Sequence, residues 1–148
     1  MPQIESFQPI EWQESMAIGI DAIDEQHRYL FDTLNAANDR LRGNHDDLLL
    51  SQFINDLLGY AITHFKTEEA LMQRYDYAKA CPAEAETHIA QHRFFSRRIV
   101  AALDQLREGK AVSRAELLSF LNNWLHDHVL GTDQKMARYL IMKIGRDA

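Results

Sequence analysis

A single cysteine, Cys81, excludes an internal disulfide, so covalent stapling contributes nothing to stability. Only three prolines and six glycines interrupt 148 residues, a scarcity expected of long helices joined by short turns. No apolar run approaches the length of a membrane span, and the opening MPQIESFQPIEW lacks a basic-then-apolar signal pattern. The expectation is a cytoplasmic address without membrane insertion. Positive charge is also short: 16 Lys and Arg against 22 Asp and Glu leave a net charge of −6. No basic stripe reverses that balance, so nucleic acid is not an expected partner. What is present is an ordinary globular composition, 46% apolar and 26% charged, of a length that suits one domain over residues 1–148. Against these shortages, seven histidines stand out.

Apolar residues recur at intervals of three and four in four stretches, the period of amphipathic helices. The first, Ile20, Ile23, Leu30, Phe31, Leu34, Ala37 and Leu41, stops at Gly43. The second runs from Leu50 through Phe53, Ile54, Leu57, Leu58, Ala61 and Phe65 to Met72. The third, Phe95, Ile99, Ala102, Leu103 and Leu106, stops at Gly109. The fourth opens with a capping-box pair, Ser113 and Glu116, and continues through Leu117, Phe120, Leu121 and Trp124 to Met136, Tyr139 and Leu140. Helices are expected over about 21–42, 46–75, 84–108 and 114–143, with Gly131 a candidate break. No strand with a hairpin partner is legible. The fold class is therefore all-α: an up-down-up-down antiparallel four-helix bundle, with residues 1–19 as an N-terminal arm.

Five histidines fall within the apolar stripes. His27 lies between Ile23 and Leu30; His64 and Glu68 share a face of the second helix, as His88 and His92 do on the third; His128 follows Trp124 by four. Buried imidazoles and carboxylates are costly unless each has a partner, and a metal would supply one. Spacing alone is weak, since roughly one sequence in ten of this composition would show His-x3-Glu, His-x3-His and His-x4-Asp together. His27 and Asp32 even repeat the spacing of His128 and Asp133.

Height along the bundle is more telling. At about 1.5 Å per residue, His27 stands roughly 24 Å from the turn at Gly43, and His64 and Glu68 roughly 27–33 Å beyond it. From the turn near Gly109, His92, His88 and His128 stand roughly 26, 31 and 23–25 Å away. Both turns lie at one end of an antiparallel bundle, so five rings and Glu68 converge at one level. Five imidazoles with carboxylates exceed one tetrahedral zinc site and suit two octahedral ions. Nitrogen-rich ligation without thiolate fits iron better than calcium, magnesium or copper(I). No Glu-x-x-His occurs, so the ferritin-like di-iron pattern is absent.

The sequence resembles the hemerythrins, specifically the single-domain bacteriohemerythrins, over nearly the whole chain. The resemblance runs from Trp12 and Gly19-Ile20-Asp21-Ala22-Ile23-Asp24-Glu25-Gln26-His27 through His64-Phe65-Lys66-Thr67-Glu68-Glu69 with Leu71-Met72. It continues with His88-x3-His92-x2-Phe95 and Trp124-Leu125-x2-His128-x4-Asp133. The resemblance implies that His88, His92 and His128 hold one iron and His27 and His64 the other. Glu68 and Asp133 would bridge two Fe ions (Fe2+/Fe3+), with an oxo or hydroxo ligand as third bridge. The iron with two histidines would then be five-coordinate and open to O2, within a pocket lined by Leu30, Phe65, Trp124 and Leu125. The implied function is reversible O2 binding by a carrier, storage or delivery protein rather than an enzyme. The alternatives are a di-iron oxidase or nitric oxide or peroxide scavenger, and an iron or oxygen sensor. O2 is the expected partner, and a monomer the expected state.

Asp133 owes its place in this set to the resemblance. Five residues of α-helix turn through 500°, leaving it about 140° from the direction of His128 unless Gly131 marks a π-bulge or helix break. Asp32 faces away by the same angle and matches no family ligand. His45, His126, Glu69 and Asp127 read as surface residues. Relatives often have a short Tyr-Pro turn after the second helix, where this chain has the longer Tyr77-Ala78-Lys79-Ala80-Cys81-Pro82. The 76–83 connection is expected as a loop at the metal end, with Cys81 exposed on it.

Overall fold

The computed structural model describes residues 12–41 and 46–147, with the side chains of 146 and 147 excepted. His45, the Gly43 turn and residues 1–11 of the expected arm lie outside the described residues. Among the described residues every regular element is helical. A one-turn 3-10 helix, Glu14–Met16, precedes α1 (Asp21–Leu41) and α2 (Asp47–Arg74). Then come a short α3 (Tyr77–Ala80), α4 (Pro82–Arg107) and α5 (Arg114–Asp127), a π-helical turn His128–Asp133, and α6 (Gln134–Asp147). Helix α1 packs on α2 and α5, and α2 on α4; α4 also packs on the π turn and α6. Short connections make these neighbours antiparallel, the expected four-helix bundle.

Local chemistry sets the helix ends. The Asp46 carboxylate accepts from Leu48 N at 2.9 Å, and Ser113 Oγ accepts from Glu116 N at 3.2 Å, so both caps satisfy an otherwise orphaned donor. Pro82 opens α4 at a position where no amide proton is needed. Gly109, at φ +74°, closes it: Lys110 N donates to Gln105 O and Gly109 N to Leu106 O, the paired bonds of a Schellman motif. At the other end of the bundle, the Asp24 carboxylate gathers Ile18 N at 2.7 Å and Gly19 N at 3.2 Å, folding the incoming chain onto α1. Gly19 has φ +89°, and a Cβ there would stand 2.9 Å from Ile141 Cδ1.

Two apolar clusters fill the interior. The larger includes Leu30, Phe31, Leu34, Ile54, Ala61, Phe65, Phe95, Ile99, Leu121 and Leu125. The smaller holds Ile18, Ile23, Met72, Tyr77, Ala85, Met136, Ala137 and Leu140. On every long helix the candidate ligands fall between residues of one cluster and residues of the other, so a polar layer is sealed above and below by hydrocarbon. The connection after α2 differs from the expected loop. Asp76, with φ 57°, turns the chain, and α3 follows because Tyr77 is 2% exposed and anchors one helical turn in the smaller cluster. Cys81 is therefore half-buried against that cluster, not exposed.

Candidate metal centre

Seven polar side chains form the layer: His27, His64, Glu68, His88, His92, His128 and Asp133, each no more than 2% exposed. All five rings turn Nε2 inward. His27 Nε2 stands 2.8 Å from Asp133 Oδ2 and 3.7 Å from Glu68 Oε2, and His64 Nε2 stands 3.4 Å from that same Glu68 oxygen. On the other side, His88 Nε2 is 3.3 Å from Glu68 Oε1 and 3.1 Å from Asp133 Oδ1. His92 Nε2 is 3.0 Å from Glu68 Oε1, and His128 Nε2 is 3.1 Å from Asp133 Oδ1. Each carboxylate thus offers one oxygen to the His27/His64 pair and the other to the His88/His92/His128 trio.

The helix geometry explains how Asp133 reaches this point. In a π turn the backbone bonds run from residue i to i+5, so a residue five positions on is brought back over its predecessor. The segment His128–Asp133 has that geometry, which cancels the 140° offset expected of a continuous α-helix. Gly131 lies within the turn, exposed, without a positive φ and with nothing within 4 Å of a notional Cβ. Its freedom is not what bends the chain. Asp32, on unbroken α1, faces solvent as expected.

Outer partners fix three of the rings. His64 Nδ1 donates to Gln26 Oε1 at 2.6 Å, while Gln26 Nε2 donates to Thr67 Oγ1 at 3.3 Å, which orients the amide. His128 Nδ1 donates to Gln91 Oε1 at 2.7 Å, and Thr132 Oγ1 donates to that oxygen at the same distance. His92 Nδ1 donates to Glu69 Oε2 at 2.7 Å. With the proton held on Nδ1, each Nε2 keeps its lone pair for the centre. Glu69 corrects the sequence reading: its side chain is 38% exposed, yet it is a bonded neighbour of the site rather than a solvated bystander. Gln91 carried no sequence signal and Gln26 stood out only within the family motif, because each meets a histidine on a different element. Among the described residues, His126 and Asp127, with side chains 51% and 82% exposed, pair with each other alone and stay on the surface as expected.

Charge in the layer is self-consistent. Burial disfavours a charged ring at His27, but the carboxylates of Asp133 and Glu68 close beside it outweigh that and raise the pKa to about 9. His88 is raised to about 9 by the same contest. His92 moves down, burial and the neighbouring His128 and His88 prevailing over Glu68. For both carboxylates burial pushes up, yet the surrounding rings win: His64, His128 and His27 hold Glu68 well below the usual range, and His128 and His27 do so for Asp133.

The donor set fits a pair of metal ions. Both oxygens of Asp133, Glu68 Oε2, His27 Nε2 and His64 Nε2 are buried without a directional hydrogen bond, although they lie close together. Two sets of ligand atoms within 4.8 Å of one another result: Glu68, His88, His92 and His128, and His27, His64, Glu68 and Asp133. Beside them, Leu30, Phe65, Trp124 and Leu125 come together with Leu34, Leu57, Ala61, Phe95 and Leu121 around a cavity of about 20 Å³. Phe65 stacks on the His92 ring at 4.0 Å and Trp124 on the His128 ring at 4.4 Å.

A helical bundle enclosing a histidine-rich, carboxylate-bridgeable core defines a metal-binding bundle protein of the non-haem kind. The model of the hemerythrin HHE cation binding domain matches residues 18–140. A bacteriohemerythrin of Stenotrophomonas maltophilia (strain R551-3) is 32% identical over 126 residues, 85% of this chain and 78% of that protein. A hemerythrin-like protein of Naegleria gruberi is 29% identical over 127 residues, 86% of this chain and 90% of that one. The crystal structure of wild-type hemerythrin superimposes with a TM-score of 0.79 at 22% identity, over 90% of this chain and 98% of that one, which is a likeness of fold. The chain belongs to the hemerythrin family, whose cofactor is a di-iron centre at which O2 binds.

Proposed function

We propose that this protein binds O2 reversibly at a di-iron centre held by His27, His64, Glu68, His88, His92, His128 and Asp133, as a carrier, store or delivery protein rather than an enzyme. The supporting observation is the division of both carboxylates between a histidine trio and a histidine pair. Three rings and two carboxylate oxygens face one position; two rings and two oxygens face the other. Five protein donors would thus hold one ion and four the other, so the ion on the His27/His64 side would be the less filled and the place where O2 could bind. Two ferrous ions held by these residues would supply the two electrons that O2 uptake withdraws and release returns.

The chain's own residues make uptake reversible. A water molecule needs two to four polar partners to occupy a small cavity, and the cavity lined by Leu30, Phe65, Trp124 and Leu125 offers only hydrocarbon and aromatic surface. Apolar O2 pays no such penalty. The same lining would shield bound O2 from solvent protons and contributes no acid or base of its own. Gln26, Gln91 and Glu69 hold three rings against rotation, so the centre need not reorganise between states. An oxygen electrode separates this reading from an oxidase or scavenger on the same scaffold. With excess reductant present, a carrier takes up about one O2 per two irons and stops. Continued consumption would make the protein an enzyme.

A further inference from the structure

The site is buried on all sides, yet one of its rings reaches the floor of a surface groove. Ile62, Phe65, Lys66 and Glu69 of α2 and His92, Arg93, Ser96 and Arg97 of α4 line a groove of about 450 Å³. Lys66, Arg93 and Arg97 are exposed, and none forms an ion pair among the described residues. Arg93 and Arg97 stand four apart, so their guanidinium groups rise from one face of α4. Glu69, the anion in the groove, is engaged by His92 Nδ1 at 2.7 Å. In a chain of net charge −6, three uncompensated cations gathered over a candidate ligand form a local reversal of sign.

We infer that this α2–α4 groove is the docking site of an acidic one-electron redox protein that returns ferric iron in the centre to the ferrous state. The inference rests on the di-iron reading. Ferric iron cannot supply the electrons O2 uptake needs, and a layer no more than 2% exposed admits no reductant molecule. Electrons must therefore cross the protein, and transfer weakens steeply with distance. His92 gives a short crossing: its outer edge meets the groove and its Nε2 lies 3.0 Å from Glu68 Oε1. Phe65, stacked on His92 at 4.0 Å, floors the same groove. A cationic rim steers an acidic partner and sets its orientation. A shallow groove with Ile62 and Phe65 as modest apolar contact suits a brief encounter, since redox complexes bury less than about 1,200 Å². The step balances in electrons: two ferric ions held by these residues would each gain one electron, and two partner molecules would each lose one.

The test uses iron-loaded, ferric protein and a reduced acidic flavodoxin as probe, followed by stopped-flow. The second-order rate should fall roughly tenfold or more in an R93E/R97E variant and between low salt and about 0.2 M. K143E, on α6 and away from the groove, should match the parent, and uncharged hydroquinone should reduce all variants equally. Carbodiimide should join Lys66 to flavodoxin carboxylates, a readout independent of iron chemistry. A rate indifferent to charge reversal, cross-links placed elsewhere, or cross-linking at Lys66 without reduction overturns the proposal. Failure of the O2 reading is a separate result: loaded ferrous protein without a reversible visible band, wherever the cross-links fall.

Discussion

Removing the metal should leave a fold whose stability falls as pH rises through the alkaline range, opposite to the behaviour of carboxylate-stabilised proteins. Without metal, Glu68 and Asp133 are held together by charged rings: His27 and His88 are raised from 6.5 to about 9, and His128 is raised as well. Between those values the folded chain binds more protons than the unfolded chain, so the slope of stability with pH is negative. The stabilisation is complete below pH 6.5 and lost as pH passes about 9. At about 1.4 kcal/mol per unit, His27 and His88, each taken alone, account for about 3 kcal/mol. The two share Glu68 and Asp133, so their joint effect is less than twice that. For a chain of this length, about 3 kcal/mol corresponds to a fall in Tm of about 10 °C. Thermal unfolding of chelator-treated protein at pH 6.5 and 9 measures it, with H27Q, which should flatten the curve, as control. Iron-loaded protein should not follow the decline, because metal binds deprotonated rings and competes with protons less as pH rises. A metal-free Tm that is level or rising from pH 6.5 to 9 would refute the charge assignment.

Other substitutions separate ligands from neighbours. His64→Ala should lower iron from two per chain by elemental analysis, whereas His126→Ala, on the surface beside Asp127, should leave it unchanged. Leu30→Ala, 3% exposed at the cavity wall, should cost about 2–5 kcal/mol in urea unfolding and speed conversion of loaded protein to the ferric form by admitting water. Gly131→Ala should keep full iron content and gain up to about 1 kcal/mol, since the position is open and right-handed. A loss of iron there would mean that the π turn depends on glycine after all.

Much of this was legible in the chain because helices convert sequence spacing into height and direction. Leu30, Leu34 and Ala37 with His27 share one stripe of α1, and counting residues from the turns put five rings at one level. Angular arithmetic failed at Asp133, where the backbone period itself changes from α to π within His128–Asp133. Glu69 was missed for a different reason. Next to Glu68 it points off the core stripe, and only the approach of α4, carrying His92, turns it into a bonded partner. Gln26 and Gln91 likewise acquire their roles from rings on other helices. Tyr77 was hidden because one helical turn is too short to show a period.

The most direct measurement is optical. Protein loaded anaerobically with two ferrous ions per chain is exposed to O2 and then purged, while the visible spectrum is followed through several cycles. The expected result is a ligand-to-iron charge-transfer band that forms with O2 and vanishes on its removal, with little loss per cycle. A spectrum that passes at once and irreversibly to that of ferric protein would contradict reversible binding at this centre.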